Sequence, residues 1–273
     1  MELQELYGLL ELPKEIIEKL DVAQRQVDFV QLEPLLDGLM HIETAPKAYE
    51  ALCGALGEDE GNIKMLLCQL ECARRDEARY AQRGIARTVF VDTMKCFTRF
   101  IRECGEKNDG RLFFDRGWWS YRQIAMTLFR VGALEYEFRA HEGENAITIH
   151  IPSDADFSAA AIDASLDAAE KMFAQSYPEY PIQHIICNSW LLSPTLQTLL
   201  PETSHIVAFQ KRFEIVKEDN TQNACINWVF NTDDVTDYAS LPEKTTLQRR
   251  AKAHLLAGGV IGSAYGVMKP RKQ

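Results

Sequence analysis

The chain of 273 residues has no long apolar run: its most apolar stretch, 255–267, is shorter than the ~18–20 residues that span a bilayer, and four glycines and a serine interrupt 254–268. No transmembrane segment and no membrane partner are expected. The N-terminus, Met1-Glu-Leu-Gln-Glu5, lacks the basic-then-apolar order of a secretory leader, so a cytoplasmic location is the expectation. Basic residues are in deficit. Thirty Lys and Arg against forty Asp and Glu leave a net charge of −10, a field that repels nucleic-acid phosphates, so nucleic acid is not an expected partner. The seven cysteines contain no CxxC pair, and Cys68 and Cys72, one helical turn apart, have no further ligands nearby in sequence. Neither disulfides nor a metal site are expected.

What is present is globular. An apolar fraction of 46% with 26% charged residues supports a sizeable core, and the length lies between one and two domains of ~150 residues. From residue 1 to about 104 the apolar residues recur at helical spacing, broken at Pro13, Pro34, Pro46 and the loop 57–61. The clearest helix is 85–104, where Phe90, Met94, Phe97, Ile101 and Cys104 share one face. The polar turn 105–110 marks a domain boundary, giving a helical domain 1–110 and a second domain 111–273. After a helix at 118–130, residues 134–139 and 146–151 alternate as the strands of a hairpin. A helix over 156–175, a strand over 182–190, short helices at 195–199 and 204–211, and strands at 213–217 and 224–230 follow. A last helix, 246–257, carries a threonine at its start and stops at Gly258-Gly259. The fold class expected is α+β, an all-helical half followed by a mixed α/β half.

The order of the second half, together with Leu128-Phe-Arg-Val-Gly-Ala-Leu-Glu-Tyr-Glu137, His150-Ile-Pro152, Asn188-Ser-Trp-Leu-Leu-Ser-Pro194, Phe209-Gln-Lys-Arg-Phe-Glu214 and Leu247-Gln-Arg249, carries a resemblance. The chain resembles a bacterial family of acyltransferase-domain proteins that pair a helical N-acyltransferase N-terminal domain with a GNAT-like C-terminal domain. That resemblance implies transfer of an acyl group from acetyl-CoA or another acyl-CoA, as co-substrate, to an amine of a small molecule or protein, without a metal. It also implies that the strand 147–151 and the helix start near Asp156 receive the pantetheine arm and diphosphate. Ile149, Ile151, Ser153, Asn188 and Ser189 are then the cofactor-binding candidates.

Two residue patterns depart from that family habit. The turn Pro152-Ser-Asp-Ala-Asp-Phe157 contains no glycine and two carboxylates, which suit helix capping and repel a diphosphate. Where the habit places a tyrosine acid, the chain has Phe209 and Gln210, which donate no acidic proton. The catalytic candidates are His150, an imidazole at the end of a strand, and Glu135 and Glu137, which share a face of the preceding strand. Core or solvated roles for all three remain open. Trp118, Trp119, Arg122 and Trp190 are candidates for substrate binding, in a cleft between the two domains. Cys187 reads as core, and Arg249, Arg250 and Lys252 as a short basic cluster. A GNAT-shaped ligand-binding or scaffolding protein without catalysis is the alternative, and a homodimer is left open.

Overall fold

A computed structural model describes residues 1–232 and 237–271. The described chain divides into two compact units, 1–131 with 175–177, and 132–174 with 178–273. The division falls after Val131, and the turn at 105–110 lies within the first unit, between two of its helices.

The first unit contains α1 (Leu3–Leu9), α2 (Lys14–Ala23), α3 (Phe29–Leu39), α4 (Ala45–Leu56), α5 (Ile63–Gln82), α6 (Arg87–Met94), α7 (Cys96–Lys107), α8 (Gly117–Ile124) and β1 (Leu128–Val131). Helix α5 is its axis. Twelve of its twenty residues are buried, so it is covered nearly all round, and α1, α2, α3, α4, α6 and α8 pack on it. The polar residues it buries are paired: Glu71 accepts from Arg74 at 2.7 Å and Arg75 at 2.9 Å, and Asp76 from Arg79 at 2.6 Å. The single helix expected at 85–104 is two, α6 and α7, divided at Lys95, whose ψ of −8° breaks the helical run. Its predicted buried face continues across the break, since Phe90, Met94, Phe97, Ile101 and Cys104 are all buried. The helix expected at 118–130 also stops early. Met126 takes a left-handed φ of 54°, which ends α8, and the apolar residues beyond it form β1.

The second unit contains β2 (Leu134–His141), β3 (Glu144–His150), α9 (Ala159–Ser176), β4 (His184–Ser189), α10 (Thr195–Leu199), α11 (His205–Gln210), β5 (Phe213–Asp219), α12 (Ile226–Val229), α13 (Thr246–Leu256) and β6 (Ser263–Met268). Its strands run in the order β2-β3-β4-β6-β5. The predicted hairpin is β2 and β3, β3 and β4 are parallel, and β6 is antiparallel to both β4 and β5. The parallel pair requires a crossover, and α9 provides it. One face of the sheet is apolar and packs on α9: Tyr136 hydrogen-bonds Ser165 at 2.8 Å, and the Phe138 ring meets Phe173 edge-on at 5.2 Å.

The expectation that the sheet ends with strands at 213–217 and 224–230 is half wrong. Residues 226–229 form α12, and the final strand is β6, inserted between β4 and β5. A short apolar run such as 224–230 suits a buried helix turn as well as a strand. Here Cys225, Ile226 and Phe230 join a satellite core with Leu191, Leu196, Leu241, Leu255 and Ile261. The glycines that obscured β6 are what admit it: a Cβ on Gly262 would lie 2.0 Å from the Asp219 carbonyl oxygen, and one on Gly266 3.1 Å from that of Glu214. Helix α13 starts as expected. Thr245 Oγ1 accepts from the Gln248 amide and Gln248 Oε1 from the Thr245 amide, both at 3.1 Å, a reciprocal capping box. Among the described residues no helix is long and apolar enough to cross a membrane, and no group of three or more His, Cys, Asp or Glu side chains is placed to hold a metal ion.

Candidate active site

Strand alternation and register assemble the polar side chains before any side-chain contact is considered. Glu135 lies opposite His150 and Glu137 opposite Thr148, so these four share the sheet face that α9 does not cover. On that face His150 Nε2 is 2.8 Å from Glu137 Oε2. The carboxylate is 2% exposed and the imidazole 25%, so a buried acceptor holds a partly accessible ring. Arg139 Nη2 lies 3.0 Å from the other oxygen, Glu137 Oε1, and stabilises the charge there. Glu135, 3% exposed, is buried as well. Solvated glutamates on a hairpin surface are therefore the wrong picture for this pair. A neutral ring that donates through Nε2 to Glu137 has Nδ1 as its acceptor nitrogen.

The parallel ladder between β3 and β4 runs from Ala146↔His184 to Ile149↔Cys187 and goes no further. Beyond it β4 continues, paired on its other edge with β6 as far as Ser189↔Ala264. The two parallel strands thus end in different company, and their carboxyl ends are where α/β sheets place ligands. His150 and Ile151 follow the last rung on one side, Asn188 and Ser189 on the other. Ile149 is buried among the apolar residues, so only its backbone can serve a ligand. Asn188 is exposed, and Ser189 Oγ accepts from the Leu191 amide at 3.1 Å to cap a short 3-10 turn. Trp190 opens that turn half-buried, against the satellite core with Ile151 and Phe157.

The turn after β3 behaves as its sequence predicts. Asp156 Oδ1 accepts from the Ser158 amide at 2.8 Å, and hydrogen bonds from Ser158 hold its carboxyl below the usual range. Ser158 Oγ in turn accepts from the Ala161 amide at 3.3 Å. Ser153 is exposed in the same turn. Phe209 packs between Phe157 and Phe213, with ring centroids 5.5 and 5.2 Å away, and Gln210 Nε2 donates to the Leu191 carbonyl at 2.7 Å. Neither is an acid. Burial pushes the Cys187 thiol up to about 12, which removes it as a nucleophile at neutral pH. The basic cluster is spent on its surroundings: Arg250 donates to the Leu199 carbonyl and Lys252 to that of Leu241, both at 2.8 Å.

Trp118, Trp119 and Arg122 belong to α8 of the first unit. The two indoles meet edge-on at 5.8 Å, Trp118 is 52% exposed, and the Arg122 guanidinium lies 4.3 Å from the centre of the Trp119 ring. This is an aromatic surface with a cation stacked on it. Sequence reasoning missed Arg139, although alternation already put it on the face of Glu135 and Glu137.

The second unit is thus a mixed sheet over a crossover helix, its parallel pairing ending at Ile149↔Cys187. Residues 128–268 match the GNAT-like C-terminal domain and residues 1–126 the N-acyltransferase N-terminal domain; the chain belongs to the family that joins the two. Solved structures of similar fold include an acyltransferase in complex with decanoyl-CoA and teicoplanin, with 20% identity, TM-score 0.81 and coverage of 98% of this chain and 87% of that one. An acyltransferase in complex with CoA and 10C-teicoplanin gives TM-score 0.82 at 20% identity, and one with decanoyl-CoA 0.78 at 21%, each over 98% of this chain and 87% of that one. No curated protein matches the chain.

Proposed function

We propose that the protein transfers an acyl group from an acyl-CoA to an amine by direct attack of the amine on the thioester. The observation that carries this reading is the His150–Glu137 pair, 2.8 Å apart on the polar sheet face, beside the end of the β3–β4 ladder. Glu137 holds the ring, and His150 takes the proton the amine loses as it acylates. Glu135, opposite His150, keeps that face polar. The residues fit a pantetheine arm, which needs strand-like backbone partners: Ile149, Ile151, Asn188 and Ser189 flank the point where the ladder stops. They do not fit a diphosphate cradled by the turn at 152–158, because Asp156 already occupies the Ser158 amide and adds charge of the wrong sign. Of that turn, only the Ser153 hydroxyl is kept as a cofactor contact.

Trp190, with Ile151 and Phe157 against the satellite core, suits the wall of an acyl chain. The decanoyl-CoA held by proteins of the same fold supports a chain longer than acetyl. Trp118, Trp119 and Arg122 suit contacts to the acceptor, and the teicoplanin in one of those structures supports an acceptor with rings to stack. Calorimetry with acetyl-CoA and decanoyl-CoA tests the donor, with the tighter binding expected for decanoyl-CoA. Absence of binding by both, in protein shown to be folded, ends this reading and leaves the alternative of a non-catalytic binding protein.

A further inference from the structure

The end of α5 carries two arginines, Arg79 and Arg83, one turn apart and so on one side of the helix. With Gln82, with Ala125 and Met126 just beyond α8, and with Tyr177, they line a groove of about 360 Å³. All six residues belong to the first unit, none is a carboxylate, and the acyl-transfer reading uses none of them. Arg79 is held from three directions: Nη1 donates to Asp76 Oδ1 at 2.6 Å and to the Ile124 carbonyl at 3.2 Å, and Nη2 to the Met40 carbonyl at 3.1 Å. Those two carbonyls lie at the C-terminal ends of α8 and α3, where a cation is favourable. A guanidinium has five N–H donors, and these bonds use three. Nothing among the described residues takes the other two, on Nε and Nη2, although the side chain is 30% exposed. Tying two helix ends together therefore leaves a pair of donors over, the number that a carboxylate or phosphate meets with two oxygens at once. Arg83 donates from Nη1 to the Ser176 carbonyl at 3.3 Å, and its guanidinium lies 4.7 Å from the centre of the Tyr177 ring, which holds a second cation at the same groove.

We propose that this groove binds a small organic oxyanion, a carboxylate or a phosphate monoester, with Arg79 gripping two of its oxygens and Arg83 adding a second positive charge. At about 360 Å³ the groove stands near the lower end of small-molecule sites and exceeds what a bare inorganic ion fills, so the anion carries an organic body. The buried Ala125, Met126 and Tyr177 give that body apolar contacts. A chain of net charge −10 repels anions over most of its surface, so two guanidiniums in a groove lined by no carboxylate form a local reversal of that field. The site is independent of acyl transfer and stands whether or not that reading does.

Calorimetric titration of the full chain at constant ionic strength tests the site with phenyl phosphate, benzoate and benzamide, the last an uncharged isostere of benzoate. At least one of the two anions is expected to bind wild type with a Kd of about 1 mM or tighter, and benzamide at least about tenfold more weakly. Arg79→Lys keeps a cation beside Asp76 but loses the grip on two oxygens, and is expected to weaken the anion about three- to tenfold. Arg83→Glu, at an exposed position where the fold does not depend on the side chain, is expected to weaken it at least about tenfold, and it decides the matter should Arg79→Lys fail to fold. A preference for phenyl phosphate or for benzoate supports the inference and names the head group. Benzamide binding as tightly as benzoate, no binding of either anion by wild type, or wild-type affinity in Arg83→Glu overturns it.

Discussion

Replacing Glu137 by Gln tests whether the buried carboxylate works through His150. The side chain keeps its length, so the sheet and the 2% exposed site stay filled. What changes is the hydrogen-bond count. The carboxylate accepts from His150 on one oxygen and faces Arg139 with the other, at 2.8 and 3.0 Å. A glutamine offers one oxygen and one NH₂ group to two donors. With its oxygen toward Arg139, the amide nitrogen faces His150 Nε2, so the ring must accept there and carry its proton on Nδ1, the wrong tautomer for a base. Losing a charge-assisted hydrogen bond is worth about 1.5–3 kcal/mol. At 1.4 kcal/mol per decade, that is roughly a 10- to 150-fold fall in kcat. The half-exposed Arg139 can be hydrated, so the thermal midpoint should move by only a few degrees at about neutral pH. The assay is acyl transfer under saturating donor for Glu137→Gln, His150→Ala and the double variant. His150→Ala should lose about 10²–10⁴, and the double variant no more than His150→Ala alone, because Glu137 acts through the ring. Multiplicative losses in the double variant, or full turnover by Glu137→Gln beside a crippled His150→Ala, would refute the reasoning.

Gly262→Ala should destabilise the second unit by about 1–3 kcal/mol, because its Cβ would sit 2.0 Å from the Asp219 carbonyl, whereas Gly54→Ala, with nothing within 4 Å on a helix, should be neutral or stabilising; urea melts decide both. Of the seven cysteines only Cys53 is exposed, so a thiol reagent at pH 8 should label one site quickly and the other six only in denaturant. Burial pulls the Glu71 carboxyl up, but hydrogen bonds and charge from Arg74 and Arg75 pull harder and leave it below the ordinary value. A depressed folded value contributes stability that is present above the unfolded ~4.3 and lost as pH falls through the folded value, so Glu71→Gln should flatten the acid limb of stability measured by urea melts from pH 6 downward.

The first unit was legible because its signal is redundant. Five residues of the 85–104 stripe proved buried even though the helix they were assigned to is broken at Lys95. A stripe tolerates one distorted residue; a boundary does not. The hairpin β2–β3 was legible for a similar reason, since alternation over six residues is hard to satisfy by chance. The last strand failed on both counts. Ser-Ala-Tyr-Gly-Val-Met carries a glycine in its interior, and the residues before it include three more, which in isolation read as loop. For Gly262 and Gly266 the purpose is visible only when β5 is beside them, at a distance that excludes or crowds a Cβ, whereas Gly259 leaves room for His254 and Gly258 takes a left-handed φ of 81°. The run 224–230 failed in the opposite direction. Its apolar density was real, but it faces a satellite core rather than the sheet.

The candidate site divides along the same line. That His150, Glu135 and Glu137 share a face was legible because they lie on two strands joined by a tight turn, where sequence separation is short and alternation alone assigns the face. Their burial was not legible. Two carboxylates on the polar face of a hairpin look solvated in sequence, and nothing local distinguishes a 2% exposed glutamate from a hydrated one. The cost of that burial is the stronger argument for a role. Placing a carboxylate out of water is unfavourable unless it is charge-paired and hydrogen-bonded, and Glu137 meets the condition by holding an arginine and a histidine at once. A valine or threonine at 137 would keep the strand and bury without that cost. The arrangement therefore stabilises the ring's orientation more than the fold, which is why its loss should appear in turnover before it appears in the melting curve.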